Sequence, residues 1–330
     1  MNADTFAEWL TRQGYSVVRT PSSYWYQVSP HIYQAFPYHW LIAPSQEELY
    51  QLLRQNRAIG LRYSTALDSS WGATSYHVVY GEQEYTLSDL PKKARYDVRK
   101  GLIHSSIEQI SFSRLATEGW ELRLETLSRQ GRARAETQAE WQRICLSADG
   151  LPGFEAWGAV HEGQLVAALL AFTLNDCCSI LYQQSATDHL KNGVNNALTY
   201  TFTCEVLSRP GISMIFYGLH SLDAPPSVDE FKFRMGYKAK PVRQRVVFHP
   251  WLAPFFNRTS NAIIRQLRHW QPGNPALSKA EGMLRFYLEG KRPLAEQNWP
   301  ECLADRKAEM LKGAIVEAID SSVGEATAHA

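Results

Sequence analysis

From Phe154 to Ala186 the chain alternates apolar runs with two-residue polar breaks: Phe154–His161, Glu162–Gly163, Gln164–Leu174, Asn175–Asp176 and Cys177–Ala186. Short runs joined by turn dipeptides predict consecutive strands that pair antiparallel. Similar runs upstream predict strands at Tyr15–Thr20, Tyr24–Ser29, Ile32–Ala43, Ile59–Ser64 and Ser75–Tyr80. Helical spacing occurs at Phe6, Trp9 and Leu10, with Gly14 placed to end a first helix. It recurs at Leu49, Leu52 and Leu53, behind the capping-box pair Ser45 and Glu48.

A further helix is expected over Ser88–Lys100, ending at Gly101, with Lys92, Arg95 and Arg99 on one face. A strand at Glu108–Arg114 and two helices follow, the second capped by Thr137 and Glu140. Beyond the three-strand run, the pattern predicts helix Asn192–Leu207, strand Ser213–Gly218, helix Val228–Met235 and strand Lys240–His249. From Pro250 the chain turns helical and is punctuated by Pro254, Pro272, Pro275, Pro293 and Pro300. Its aromatic residues Trp251, Phe255, Phe256, Trp270, Phe286, Tyr287 and Trp299 call for burial, by docking on the unit before it. The last residues, SSVGEATAHA, are expected to be unstructured. The expected organisation is a unit at 1–87, a linking helix at 88–104, a unit at 105–250 and a helical extension at 251–330.

At 330 residues, 45% hydrophobic and 20% charged, the chain can bury a sizeable core and is not a disordered polyampholyte. Lys+Arg 34 against Asp+Glu 33 leaves a net charge of +1, so no global field recruits nucleic acid or an anionic membrane, although a local basic patch stays open. The longest apolar run, Leu165–Phe172, is far short of the roughly 20 residues that span a bilayer. The start of the chain lacks a basic region followed by an apolar core, so a soluble, cytoplasmic protein is expected. Five cysteines without a CxxC spacing, and histidines without ligand spacing, give no reason to expect a disulfide framework or a metal. The phosphate loop GxxxxGK[ST], GxGxxG, the GxSxG elbow and HExxH are all absent from the sequence.

The segment Gln183 to Asn196 empties a strand into a polar loop and then a helix. First-turn N–H groups carry the positive end of the helix dipole, which makes Lys191, Asn192, Gly193, Val194, Asn195 and Asn196 candidates for holding an anion. An ordinary strand–loop–helix junction would look the same. The succession of three antiparallel strands, this junction, a helix, a strand, a short helix ending in Gly-aromatic and a final strand resembles the GNAT acyltransferase domain. The loop resembles that superfamily's pyrophosphate motif [RQ]xxGx[GA], with Leu190 in place of Arg or Gln and Asn195 in place of Gly or Ala. Phe231-Lys232 followed by Met235-Gly236 is similar to the Fem-type branch, as is the Arg-rich helix KKARYDVRKGL between two units.

The resemblance implies an α/β (α+β) fold of two tandem GNAT-like mixed-sheet units, the first degenerate, facing across a cleft. It implies transfer of an acyl group from acyl-CoA to an amine of a small molecule or peptide, with Tyr182, Gln183 and Gln184 on the strand beside the donor. A fixed ammonium at Lys232 would stabilise charge growing on the acyl carbonyl oxygen. His220 is a candidate base and Tyr217 a candidate proton donor, with Asp188, Asp229 and Glu230 as rival bases. Arg95 and Arg99, with Lys92, could clamp an anionic acceptor, and Phe231 would stand beside it. Two alternatives stay open: transfer from aminoacyl-tRNA, as Fem-type peptidyltransferases do, and a non-catalytic binding protein on a degenerate GNAT site.

Overall fold

Residues 2–131, 136–221, 227–271 and 274–312 are described by a computed structural model of the chain. The expectation for SSVGEATAHA falls outside them. In chain order the elements are α1 (Ala3–Arg12), β1 (Val17–Arg19), β2 (Tyr24–Ser29), β3 (Ile32–Phe36), α2 (Gln46–Gln55), β4 (Gly60–Thr65), β5 (Ala73–Tyr80) and α3 (Lys92–His104). There follow β6 (Ser106–Ile110), α4 (Phe112–Arg129), α5 (Gln138–Leu146), β7 (Phe154–His161), β8 (Gln164–Leu174), β9 (Cys177–Ser185), α6 (Val194–Leu207) and β10 (Met214–Leu219). The last are α7 (Ser227–Arg234), β11 (Lys238–Phe248), α8 (Arg258–Trp270), α9 (Pro275–Glu289) and α10 (Glu301–Ala304). They sort into two units, Met1–Val17 with Val78–Lys238 (unit I) and Val18–His77 with Ala239–Ala330 (unit II).

In unit I, β6, β7, β8 and β9 pair antiparallel in sequence, and β9 pairs parallel with β10 after the α6 crossover. The β7–β8 turn puts Glu162 at φ 50 and Gly163 at φ 81, the two positive values that a tight hairpin matching strand twist requires. Every residue of β8 from Leu165 to Leu174 is buried, because helices cover both faces of the sheet there. Helix α1 belongs to this unit: Phe6 packs on Phe172 with ring centres 5.2 Å apart, and the Trp9 indole donates to the Ile144 carbonyl at 2.9 Å. Fully burying an aromatic of this size contributes about 1.5–3 kcal/mol.

Unit II repeats that succession in smaller form. Strand β2 pairs antiparallel with β3, α2 crosses over to β4 in parallel with β3, and β11 closes antiparallel on β4. Trp25, Leu49, Leu53 and Leu61 form the centre of its core. The helical extension docks here, both on β11, the last strand of the 105–250 segment, where Tyr287 stands 5.0 Å from the Phe248 ring centre, and on the start of β5. Gln297 satisfies buried backbone: its amide nitrogen donates to the Gly72 carbonyl at 3.1 Å and its oxygen accepts from the Thr74 N–H at 2.8 Å. Phe286 is buried, as expected, but Trp251, Phe255 and Trp270 are 83%, 70% and 68% exposed.

The mixed α/β class anticipated from the sequence is the one observed. Some boundaries move for local reasons. Strand β3 stops at Phe36 because Pro37 has no N–H to give a ladder. Ser111 accepts from the Arg114 N–H at 3.1 Å and opens α4 where a strand was expected to continue. Ser45 caps α2, yet Glu48 does not return the bond and accepts instead from the Ser22 N–H at 3.1 Å. Helix α3 starts after Pro91, with Leu87–Asp89 a separate 3-10 turn, and runs through Gly101 to His104.

Candidate functional site

The parallel pairing of β9 with β10 ends at Ser179 and Phe216, while β9 continues to Ser185 and β10 to Leu219. Past that point the pairing of the two strands stops, and among the described residues one edge of β9 has no ladder partner. The pairing of β9 with β8 also shifts register here, from Ala171↔Ile180 to Leu170↔Tyr182, so Leu181 is an extra residue that re-aims the strand. A cavity of 590 Å³ opens at this point, lined by Ile180 to Ser185, by Arg123 and Arg129 of α4, by Asn195, and by Tyr217, Phe231 and Lys232. All of these residues lie in unit I.

Side chains alternate along β9, so Gln183 and Ser185 face α6 while Tyr182 and Gln184 face α4. On the α6 side the Tyr217 hydroxyl donates to the Gln183 side-chain oxygen, and the Gln183 amide donates to Thr199 at 3.0 Å. Asn195 in turn donates to the Ser185 hydroxyl at 2.9 Å. Burial pushes the Tyr217 phenol well above its ordinary pKa, so it keeps its proton at pH 7. On the α4 side Tyr182 packs under the Arg123 guanidinium, 4.9 Å from its ring centre, and Arg123 is ion-paired with Glu136. Gln184, 1% exposed, has both amide atoms buried without a hydrogen-bond partner among the described residues. A buried amide left in that state costs roughly 1–3 kcal/mol, which a ligand in the cavity would recover.

Lys232 is held rather than solvated. Its side chain is 12% exposed, its Nζ lies 2.8 Å from Asp229 Oδ1, and the same Nζ stands 5.2 Å from the centre of the Tyr217 ring. Helix α7 supplies both members of the pair at i,i+3 spacing, and Gly218 at φ 134 bends the end of β10 beside the ammonium. Asp229, weighed in the sequence as a possible base, is thereby the counter-ion of Lys232.

The six loop candidates are dispersed. Asn195 lines the cavity; Lys191 is exposed, and its carbonyl accepts from Lys100 Nζ at 2.8 Å. Asn192 lies 3.1 Å from His104 Nε2, Val194 is core, and the Asn196 amide meets the Met235 sulfur at 3.2 Å. Gly193, at φ 75, is packed against α3: the Asp97 carbonyl fills the place a Cβ would take. Gly101 answers it from α3, with its own Cβ position against the Gly193 carbonyl. The absent side chain at Gly193 therefore serves helix contact, and the close anion approach expected there has no room on that side. The N-terminus of α6 still has no side-chain cap.

His220 directly follows β10 and, like Arg95 and Arg99 on α3, is not among the residues that line the cavity. Two residues that sequence reasoning passed over do line it. Arg129 donates to the Ser185 carbonyl at 2.9 Å and to Thr187 at 2.6 Å, and burial lowers its pKa against the pull of Glu125. Arg123 stacks on Tyr182. Both sit on an amphipathic helix with no local motif, so only their tertiary placement marks them. Among the described residues no cluster of three or more His, Cys, Asp or Glu is placed to hold a metal, and no helix is long and apolar enough to cross a membrane.

No protein-family model and no curated protein matches the sequence. Solved structures do. FemX aligns at a TM-score of 0.52 and 10% identity, over 76% of this chain and 92% of FemX. A conserved protein of unknown function from Bacteroides thetaiotaomicron VPI-5482 aligns at 0.50 and 12%, over 74% of this chain and 90% of that one. A tandem GNAT protein from the clavulanic acid biosynthesis pathway aligns at 0.43 and 14%, over 71% and 82%. The element succession in the two units and the alignment with FemX lead to one conclusion: the chain has the fold of FemX.

Proposed function

We propose that the chain transfers an acyl group from acyl-CoA to an amine, with the acyl arm lying along the open edge of β9. The end of the β9–β10 pairing beside a held ammonium is the observation that carries this reading. The backbone groups of β9 that face away from β8 ahead of Ser185 suit the amide groups of a pantetheine arm, and the buried amide of Gln184 lies at the same place. As a neutral amine attacks, the C–N bond forms, the C–S bond breaks, and the proton lost by the nitrogen replaces the one that Tyr217 gives to the departing sulfur, so that the products are the amide and the CoA thiol. The Lys232 ammonium stabilises negative charge on the carbonyl oxygen, and the neutral Tyr217 phenol is the group at hand to protonate the thiolate. The first turn of α6, with Arg129 nearby, is the positive end toward which the donor's phosphates would point.

A thermal-shift screen with acetyl-CoA, longer acyl-CoAs and aminoacyl-tRNA tests this. A donor at 100 times its dissociation constant stabilises by about 2.7 kcal/mol. Stabilisation by an acyl-CoA supports the proposal. A response to aminoacyl-tRNA alone, abolished by ribonuclease, assigns the site to Fem-type aminoacyl transfer, and no response to any donor leaves a binding protein.

A further inference from the structure

Helix α8 buries none of its residues. Its sequence, RTSNAIIRQLRHW, places Ile263, Leu267 and Trp270 at i, i+4 and i+7, one continuous stripe, and these are 56%, 37% and 68% exposed. Asn261 and Ile264 are half-buried on a different face, and Arg268 is tied to Glu281 of α9 at 3.2 Å, so the stripe is turned away from the helix that α8 packs on. The segment leading into α8 adds Trp251, Leu252 and Phe255, also exposed. Water-facing apolar residues concentrated in one segment mark a surface meant to be covered.

Charge narrows what covers it. From His249 to Ala280 the sequence has no Asp or Glu, while α8 alone carries Arg258, Arg265 and Arg268, in a chain whose net charge is only +1. A second copy of the chain, related by a two-fold axis, would set arginines against arginines. A plane of negative headgroups over acyl chains meets both needs: Trp, Phe, Leu and Ile enter the boundary, and arginine stems reach the phosphates. We infer that Trp251, Leu252, Phe255 and the Ile263–Leu267–Trp270 stripe form an interfacial docking surface for an anionic lipid bilayer. At 13 residues α8 lies in the headgroup plane and is too short to span.

The test is flotation of the full chain with vesicles of phosphatidylcholine alone and of phosphatidylcholine containing a quarter phosphatidylglycerol. Binding should favour the anionic vesicles and weaken at high salt. The variant Trp251→Ser/Phe255→Ser/Trp270→Ser should bind about tenfold less with an unchanged circular dichroism spectrum and melting temperature, since all three side chains are exposed. Arg258→Gln/Arg265→Gln should lose the preference for phosphatidylglycerol while keeping residual binding. Absence of vesicle binding, or equal binding by the triple variant, overturns the inference. So does a dimer in sedimentation that the triple variant dissolves, which would make the surface a self-interface.

Discussion

The carbonyl of Asp97 occupies the space that a side chain at Gly193 would need. Gly193 also sits at φ 75, where a β-branched residue is strained. Gly193→Val therefore acts on the fold: α3 and α6 must separate, at a cost of about 1–3 kcal/mol or more. A markedly lower melting temperature, shared by Gly101→Val, is expected. Two variants that melt like the parent would refute the packing role.

Lys232→Met keeps much of the apolar stem and removes the ammonium. If the charge acts on the acyl carbonyl only in the transition state, turnover should fall about 10²-fold or more with donor affinity little changed. A loss of donor affinity at unchanged turnover would instead make Lys232 a donor contact. The variant also strands the Asp229 carboxylate, so Asp229→Asn/Lys232→Met should recover stability but not rate.

Gln184→Leu replaces an unpartnered buried amide by an apolar side chain of similar volume. The free protein should melt at the same temperature or higher, because an unsatisfied group costing roughly 1–3 kcal/mol is gone. Donor affinity measured by titration should drop. A lower melting temperature would show that the amide is already satisfied in the free protein.

His77, 2% exposed and hydrogen-bonded to Ser64 at 2.9 Å, has its pKa pushed from 6.5 down to about 3, first by burial and then by Lys240, His39 and Arg62. Between those values the unfolded chain binds a proton that the folded chain refuses. Its contribution is thus intact above about pH 6.5 and declines as the pH falls, by about 1.4 kcal/mol per unit. Urea unfolding at pH 7.5 and at pH 5 should show this slope in the parent and a flatter one in His77→Gln.

Elements set by their own residues were legible in the sequence. Strands β7 and β8 run over the residues that alternation and the Glu162–Gly163 turn indicated, and Thr137 with Glu140 does form the capping box of α5. Features set by a partner were not. Gly101 looks like a helix stop until α6 is placed against it, and Gly193 looks like an anion loop until Asp97 is. Lys232 stands out in the sequence through its Phe-Lys and Met-Gly setting, but its place in the cavity wall and its pairing with Asp229 are tertiary facts. Gln184 stands on the strand that the resemblance placed beside the donor, whereas Arg129 gained its place in the cavity wall from the tertiary position of α4, which no local pattern announces.

Hydrogen–deuterium exchange of the full chain with and without saturating acetyl-CoA tests the central claim most directly. Amides of Ile180–Ser185 and of the first turn of α6 should exchange more slowly with the donor present, because the open edge of β9 gains acceptors and cover. Acetyl-CoA that binds yet protects other segments, and leaves Ile180–Ser185 unchanged, would contradict the placement of the acyl donor along β9.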